Sequence, residues 1–533
     1  MIIYIYIDME EELIVNKKTK KNKSTKIKNN ENIEIVIDKT AETKEIKQTK
    51  ETKAEKIIKR SKSSKSTKSK DSDESDEEEI KKIIKRTKSV KITNDKEKEV
   101  FDKQNISNCD YDKLKDVYDN ILNVDKSTFK SSNDEPTPID CVMEMVEKLP
   151  EELWGRKNLK VLDPCCGNGN FHFVIYNKLL KSGYNKKKIL NEMLYFNDIN
   201  KERLNNVKKI FCDGEYKLNI TEYDFLNQET KEKYDLVVAN PPYAKILEDG
   251  KRASKNHNLI KDFIDKSLSL LKPNGYILFI TPDNWMSLAD RNTLIEKITN
   301  LQIIHLDIHT AKKHFKKIGS SFTWYIIQNA NTCNDYTISG IWKKTLYNDK
   351  VKSMERNYIP LLYNSKVQSI LSKTIDNGEL EKFQVQTSSD LHHYTKKTLI
   401  SNNEDETHKY RLIHTPKQTV YASRPHKFQE GYKVFLSTTD KYTVFVDNCG
   451  MTQSIAFIQC EDKKQATYYC DILSHPLYVF LNNICRWGNF NNIRILQKFP
   501  KPTIKKYKKD DESIIFKYYK LTEEEINYIK TNM

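Results

Sequence analysis

Four consecutive residues, Asn240-Pro241-Pro242-Tyr243, combine groups that suit an amino group on a flat ring. An amide oxygen and a proline carbonyl are acceptors for its two hydrogens, and a tyrosine ring is a face on which a base can stack. Two prolines cannot donate to a sheet, and each restricts the residue before it, so the backbone is stiff at this point. By itself the stretch reads equally as a turn whose tyrosine packs. Three aspartates supply a second constellation: Asp163 before Pro164-Cys165-Cys166-Gly167-Asn168-Gly169-Asn170-Phe171, Asp198 in Phe196-Asn197-Asp198-Ile199-Asn200, and Asp224 in Tyr223-Asp224-Phe225-Leu226. Gly167 and Gly169 let a backbone approach a ligand closely, and a helix entered through Phe171 offers free amides at its start. The turn is neither a dinucleotide fingerprint, which needs a third glycine, nor a phosphate loop, which needs Gly-Lys-Ser/Thr. A carboxylate at Asp198, with Ile199 beside it, can accept from both ribose hydroxyls of a nucleoside. Asp224 can accept from an adenine amino group while Phe225 packs on the ring. Each aspartate alone reads as a strand-end cap; three in register after successive strands point to a nucleoside-bearing ligand.

The elements that must hold these residues follow from the pattern around them. Asp235–Ala239 is a short apolar run that stops abruptly at Asn-Pro-Pro, as a buried strand does. Strands are also expected over Leu159–Asp163, Leu194–Asp198, Lys217–Glu222, Tyr276–Thr281, Ile303–Ile308 and Phe322–Gln328. Helices are expected over Phe171–Ser182, Lys201–Phe211, Leu259–Leu271 and Arg291–Thr299, with a Thr137-Pro138 start before an amphipathic helix through Cys141–Val146. Strands alternating with helices imply a mostly parallel, doubly wound α/β sheet, whose ligands bind at the carboxyl ends of the strands. From Trp342 onward the rhythm is lost, and short β-like runs such as Lys433–Ser437 and Tyr442–Val446 predict a second domain of mixed α/β character.

The bulk composition sets the frame. At 533 residues the chain exceeds one core, so two or three domains are expected. From Asn16 to Val100 it is Lys, Ser, Thr, Glu and Asp with almost no aromatics, too polar to offset the entropy of ordering, so residues 1–105 read as a disordered tail. The remaining boundaries are set at 106–341 for the catalytic domain, 342–510 for the second domain and 511–533 for a C-terminal tail. A net charge of +16 suits a polyanionic partner, although a Lys-, Asn- and Ile-rich chain with only 13 glycines also carries the mark of AT-rich coding. The 10 cysteines include no Cys-x-x-Cys pair, which predicts free thiols in a reducing, intracellular compartment (cytoplasm or nucleus) and no zinc site. No apolar run is long enough to span a membrane, and Met1–Ile7 lacks the basic front of a secretory signal.

The motifs in this order resemble the S-adenosylmethionine-dependent DNA adenine-N6 methyltransferases of the γ arrangement, close to those of Eco57I type. Thr137-Pro138, Asp163-Pro164-Cys165-Cys166-Gly167-Asn168-Gly169, Asp198, Asp224 and Asn240–Tyr243 stand where that family has its motifs. Ile280-Thr281-Pro282 with Trp285, and Phe315 to Ser321, match two further segments. Cys165 replaces a usual Ala and Asn168 a usual Thr or Ser, both small enough to fit. The resemblance implies a Rossmann-like domain with a mostly parallel seven-stranded sheet and a C-terminal target-recognition domain. It implies S-adenosylmethionine as cofactor, held by Thr137, Pro138, Asp163, Cys165, Gly167, Gly169, Phe171, Asp198, Ile199, Asp224, Phe225 and Asn240. It implies catalysis by Asn240, Pro241, Pro242 and Tyr243 on a base flipped out of double-stranded DNA, with no metal. A separately encoded restriction endonuclease is a further implied partner.

Arg486-Trp487-Gly488-Asn489-Phe490 and Phe499-Pro500-Lys501-Pro502 resemble the end of a recognition domain, and Lys396, Lys397, Arg411, Lys417, Arg424 and Lys427 are candidates for phosphate contacts. Lys245 to Lys255 reads as a basic loop beside the target. Competing readings are a methyltransferase acting on an RNA base or a protein glutamine, which share the amino-group chemistry, and an idle DNA-binding protein. The helix before the glycine turn and the large second domain count against the first pair; intact Asn240 and Tyr243 count against the last.

Overall fold

The computed structural model describes residues 110–124, 135–243, 259–289, 293–315, 319, 321–330, 334–488, 490–504, 507 and 509–533. The expected N-terminal tail and the Lys245–Lys255 loop lie outside them. Two compact units emerge: Met1–Phe279 with His314–Ser320, and Ile280–Lys313 with Ser321–Met533.

The first unit is built on β1 (Val161–Asp163), β2 (Leu194–Asn197), β3 (Asn219–Thr221), β4 (Tyr234–Ala239) and, as far as Phe279, β5 (Leu271–Pro282). They run in the order β3-β2-β1-β4-β5, every pair parallel. All six residues of β4 are buried, the uniform burial of a strand covered on both faces. Helices Asn170–Lys181, Lys201–Ile210 and Leu259–Leu270 supply the crossovers. Because the chain leaves β1 towards β2 and β3 but returns as β4 on the other side, the order reverses between β1 and β4. Val161 faces Leu236 and Leu162 faces Val237, so Asp163 and Asn240 leave the sheet at that reversal, where open α/β sheets bind ligands.

In the second unit, β6 (Gln302–Ile308) pairs antiparallel with β7 (Phe322–Gln328) and parallel with β8 (Tyr336–Trp342), which turns back as β9 (Thr345–Val351). The seven expected strands are therefore joined by two more, and the expected boundary at 341/342 falls inside β8. The β8–β9 hairpin is hidden in the sequence for a physical reason. Its two-residue turn is Lys343-Lys344, both at positive φ (47° and 70°), where Asn-Gly would ordinarily announce it. β9 itself carries Asn348-Asp349-Lys350, poor strand formers.

Beyond these lie β10 (Gln386–Thr387), β11 (Ile400–Ser401), β12 (Tyr410–Thr415), β13 (Gln418–Ala422), β14 (Lys433–Ser437), β15 (Val444–Asp447), β16 (Gly450–Met451) and β17 (Ile455–Gln459). They form two four-stranded sheets, β10-β17-β14-β15 and β11-β13-β12-β16, around a core that includes Ile413, Phe435, Met451 and Phe457. With helices Lys463–Leu473 and Pro476–Ile484 this is the mixed α/β character expected after Trp342. Residues 511–533 are not a loose tail. Thr522 and Glu525 close a capping box on the helix Glu523–Asn532, the Glu525 carboxylate meets Lys373 at 2.7 Å, and Ile529 is buried. Their high charge masks this, because the anchoring residues are few and the exposed face is acidic.

Candidate cofactor and amino-group site

Asp163 ends β1 fully buried, and its Oδ1 accepts from the Cys165 N–H at 3.1 Å. Burial holds its carboxyl well above the usual carboxylate range; the Cys165 N–H acts in the opposite direction, and the charge of Asp198 adds to the rise. The glycine turn then doubles back through Gly167 (φ 56°) and Gly169 (φ 86°), a left-handed conformation that L side chains rarely adopt. Gly169 is the last residue before the helix Asn170–Lys181, and a Cβ there would meet the Phe211 ring at 3.0 Å. At Gly167 a Cβ would meet nothing within 4 Å, so this backbone borders open space.

Asp198 follows β2. Its Oδ2 accepts from Gly167 N–H and its Oδ1 from Asn200 N–H, both at 2.8 Å, which locks the glycine turn to the next strand end. Ile199 beside it is 55% exposed, an apolar side chain next to a buried carboxylate. Asp224 is exposed and caps its own turn, accepting from Leu226 N–H at 3.0 Å and Asn227 Nδ2 at 2.7 Å. Phe225 is buried, with its ring centroid 5.3 Å from that of Phe263. Phe171 is buried as well, in the core beneath the helix start.

Asn240 leaves β4 with its amide fixed. Nδ2 donates to the Glu135 carbonyl at 2.9 Å and to Thr137 Oγ1 at 3.2 Å, which leaves Oδ1 to accept, and the Tyr243 hydroxyl donates to it. Cys165 Sγ lies 3.6 Å from the Asn240 carbonyl oxygen. Pro241 is buried and Pro242 exposed. Thr137, expected as a cofactor contact, is buried with its hydroxyl on Asn240 and its carbonyl accepting from Asn170 Nδ2 at 2.7 Å. Pro138 is the residue before the helix Ile139–Val146. Hydrogen bonds thus join Asn240, Tyr243, Thr137 and Cys165 in one group, while Asp163 holds Cys165 and Asp198 holds Gly167 at two points of the same glycine turn. Neither Asp224 nor Phe225 makes a direct bond to either group. Burial pushes the Cys166 thiol well up, so it stays neutral, as a packing residue does.

Several residues of this site went unread in the sequence. Tyr118 donates to the Asn168 carbonyl at 3.0 Å from a helical segment, Tyr111–Leu122, for which no element was expected. Its signal was present: Tyr111, Leu114, Val117 and Tyr118 recur at helical spacing. Asn170 and Asn197 left no such trace, since a buried asparagine has no periodic signature.

In the second unit, three of the basic residues proposed for phosphate contacts are already paired. Arg411 meets Asp447 at 2.5 Å, Arg424 meets Asp390 at 2.7 Å and Lys417 meets Asp440 at 3.1 Å. Lys396 and Lys397 are exposed, beside Tyr394, which is itself 65% exposed.

Residues 152–315 match the family model described as Eco57I restriction-modification methylase. Among curated relatives, the chain is 27% identical over 208 residues to Type II methyltransferase M.VspI of Vibrio sp. (strain 343), covering 36% of this chain and 47% of that protein. It is 24% identical over 267 residues to Type II methyltransferase M.HincII of Haemophilus influenzae, covering 46% and 47%. The chain thus spans about half the length of these curated relatives. A solved structure of a nuclease-deletion mutant of the Type ISP restriction-modification enzyme LlaGI, in complex with a DNA substrate mimic, aligns at a TM-score of 0.46 and 11% identity, covering 66% of this chain and 52% of that one.

Proposed function

With residues 152–315 carrying an Eco57I restriction-modification methylase domain, we propose that the chain transfers a methyl group from S-adenosylmethionine to N6 of adenine in double-stranded DNA. The observation that carries this reading is Asn240: its donor end is tied down by Glu135 and Thr137, so its oxygen is presented as an acceptor at the switch point of the sheet. The residues fit the cofactor. Open space over Gly167 and the exposed Ile199 beside the Asp198 carboxylate make a cradle for a nucleoside, with Asp163 a second acid at its edge. When bound, the cofactor supplies an electrophilic methyl group.

The chain's own residues then act on the amino group. Adenine N6 is a weak nucleophile because its lone pair is delocalised into the ring. Asn240 Oδ1 and the Pro241 carbonyl accept its two hydrogens, which favours a pyramidal nitrogen with the lone pair free to attack. The Tyr243 hydroxyl, now on Asn240 Oδ1, gives way to the incoming amino group, and its ring becomes the stacking face for the flipped base. Double-stranded DNA is held mainly by the second domain, through residues such as Lys396 and Lys397, and the companion activity is a separately encoded restriction endonuclease in an intracellular compartment. Among the described residues no helix is long and apolar enough to cross a membrane.

Asn240→Ala tests this. It should reduce methyl transfer by about 3 kcal/mol in the barrier, by analogy with other preorganised polar groups. S-adenosylmethionine affinity by calorimetry should stay near wild type. Transfer at the wild-type rate would remove Asn240 from the chemistry.

A further inference from the structure

Asn197, the last residue of β2, is 1% exposed and uses every hydrogen-bonding position of its amide. Nδ2 donates to the Pro164 carbonyl at 2.8 Å and to the Tyr223 carbonyl at 3.1 Å. Oδ1 accepts from Thr221 Oγ1 at 3.0 Å and from Tyr223 N–H at 3.4 Å. Its backbone carbonyl also accepts from Cys166 N–H at 2.8 Å. One residue therefore holds the glycine turn after β1 at two points, Pro164 and Cys166. It pairs as well with both polar groups of the Tyr223 backbone, immediately before Asp224. These two loops come from strands that do not touch each other; β2 lies between them.

We infer that Asn197 is the positioning residue of the cofactor cradle, setting the gap between the glycine turn and the Asp224 loop. The inference rests on the proposed reading of the site as a cofactor cradle. The demand is for an amide in particular. Both carbonyls, Pro164 and Tyr223, need a donor, so a carboxylate of the same shape would face them with none and would add a third acidic side chain near Asp163 and Asp198. A hydroxyl could serve only one of the two loops. Among the described residues, no hydrogen bond of Asn197 falls on Asn240, Thr137 or Tyr243, so its loss should act on cofactor capture and leave the amino-group acceptors in place.

The test compares Asn197→Asp and Thr221→Val in the full chain. Thr221→Val removes one donor to Oδ1 while both Asn197 donors remain. Asn197→Asp should raise the S-adenosylmethionine Kd and KM at least tenfold, hold kcat at saturating cofactor within about threefold, and leave duplex DNA affinity unchanged. Thr221→Val should raise the cofactor KM less than threefold. A merely structural role predicts something else: both cofactor and DNA parameters worsening together, in proportion to the fall in thermal stability across the two variants. That pattern, or an unchanged cofactor KM in Asn197→Asp, overturns the inference. A wild-type protein that binds no S-adenosylmethionine would overturn the reading beneath it instead.

Discussion

Tyr243 sits where two roles compete. Its hydroxyl is hydrogen-bonded to the Asn240 oxygen that the proposed chemistry needs free, while its ring is the proposed stacking face. Removing the hydroxyl and removing the ring should therefore have opposite signs. Tyr243→Phe is expected to keep kcat at or above wild type with a KM for DNA no higher, since the base no longer displaces a hydrogen bond. Tyr243→Ala is expected to weaken the complex by the worth of one base–aromatic stack, about 1–3 kcal/mol. Steady-state kinetics on a defined duplex would separate them, and equal losses in both variants would contradict the stacking role. At this scale the sequence was readable where a residue type is tied to a motif, as with Asn240 between a strand and two prolines. It was opaque where a buried polar residue serves its neighbours. Thr137 reads as a cofactor contact, and that its hydroxyl also accepts from Asn240 could not be foreseen; Asn197 gave no sign at all.

At the scale of elements, strands β1, β2, β4 and β5 and their helices were legible because parallel strands covered on both faces appear as unbroken apolar runs, and the antiparallel β7 is buried along nearly its whole length in the same way. β8 and β9 were not, since their turn is two lysines at positive φ and one strand face is polar. Charge was equally deceptive, for Arg411 and Arg424 look like phosphate ligands in the sequence and are ion-paired in the fold. This sorts the basic residues by function. Replacing Lys396 and Lys397 with Ala is expected to reduce the slope of log affinity for duplex DNA against log salt by about 2, roughly 0.9 for each phosphate no longer neutralised. Arg424→Ala should leave the slope unchanged and disturb the loop around Asp390, whose carboxyl the Arg424 guanidinium holds at about 2. Titrating binding across salt concentrations checks both; a slope that follows Arg424 and ignores the lysines would move the DNA surface elsewhere.

For the molecule as a whole, stability against pH is constrained by buried titratable groups, of which His172 in the first unit and Asp307 in the second are two. In the first, His172 is fully buried, and burial pushes its imidazole down to about 3. Its folded value lies below the unfolded one of 6.5, so its contribution is complete above pH 6.5 and is lost as pH falls towards 3; at pH 5 this is about 2 kcal/mol. In the second, burial raises the Asp307 carboxyl to about 7 despite hydrogen bonds from Thr310, Ala311 and Ser339. Its contribution is complete below the unfolded value of 3.8 and is lost as pH rises through 7. His172→Phe should flatten the acid limb of the unfolding profile and Asp307→Asn the limb above pH 4, measured by denaturant titration at several pH values; unchanged limbs would show that these groups ionise freely in the fold. The most direct measurement concerns the reaction itself. DNA from cells expressing the full chain, digested to nucleosides and resolved by mass spectrometry, should contain N6-methyladenine beyond that of cells without it, and DNA from cells expressing Asn240→Ala should contain far less. N4-methylcytosine in its place, or N6-methyladenine undiminished in the variant, would contradict the account.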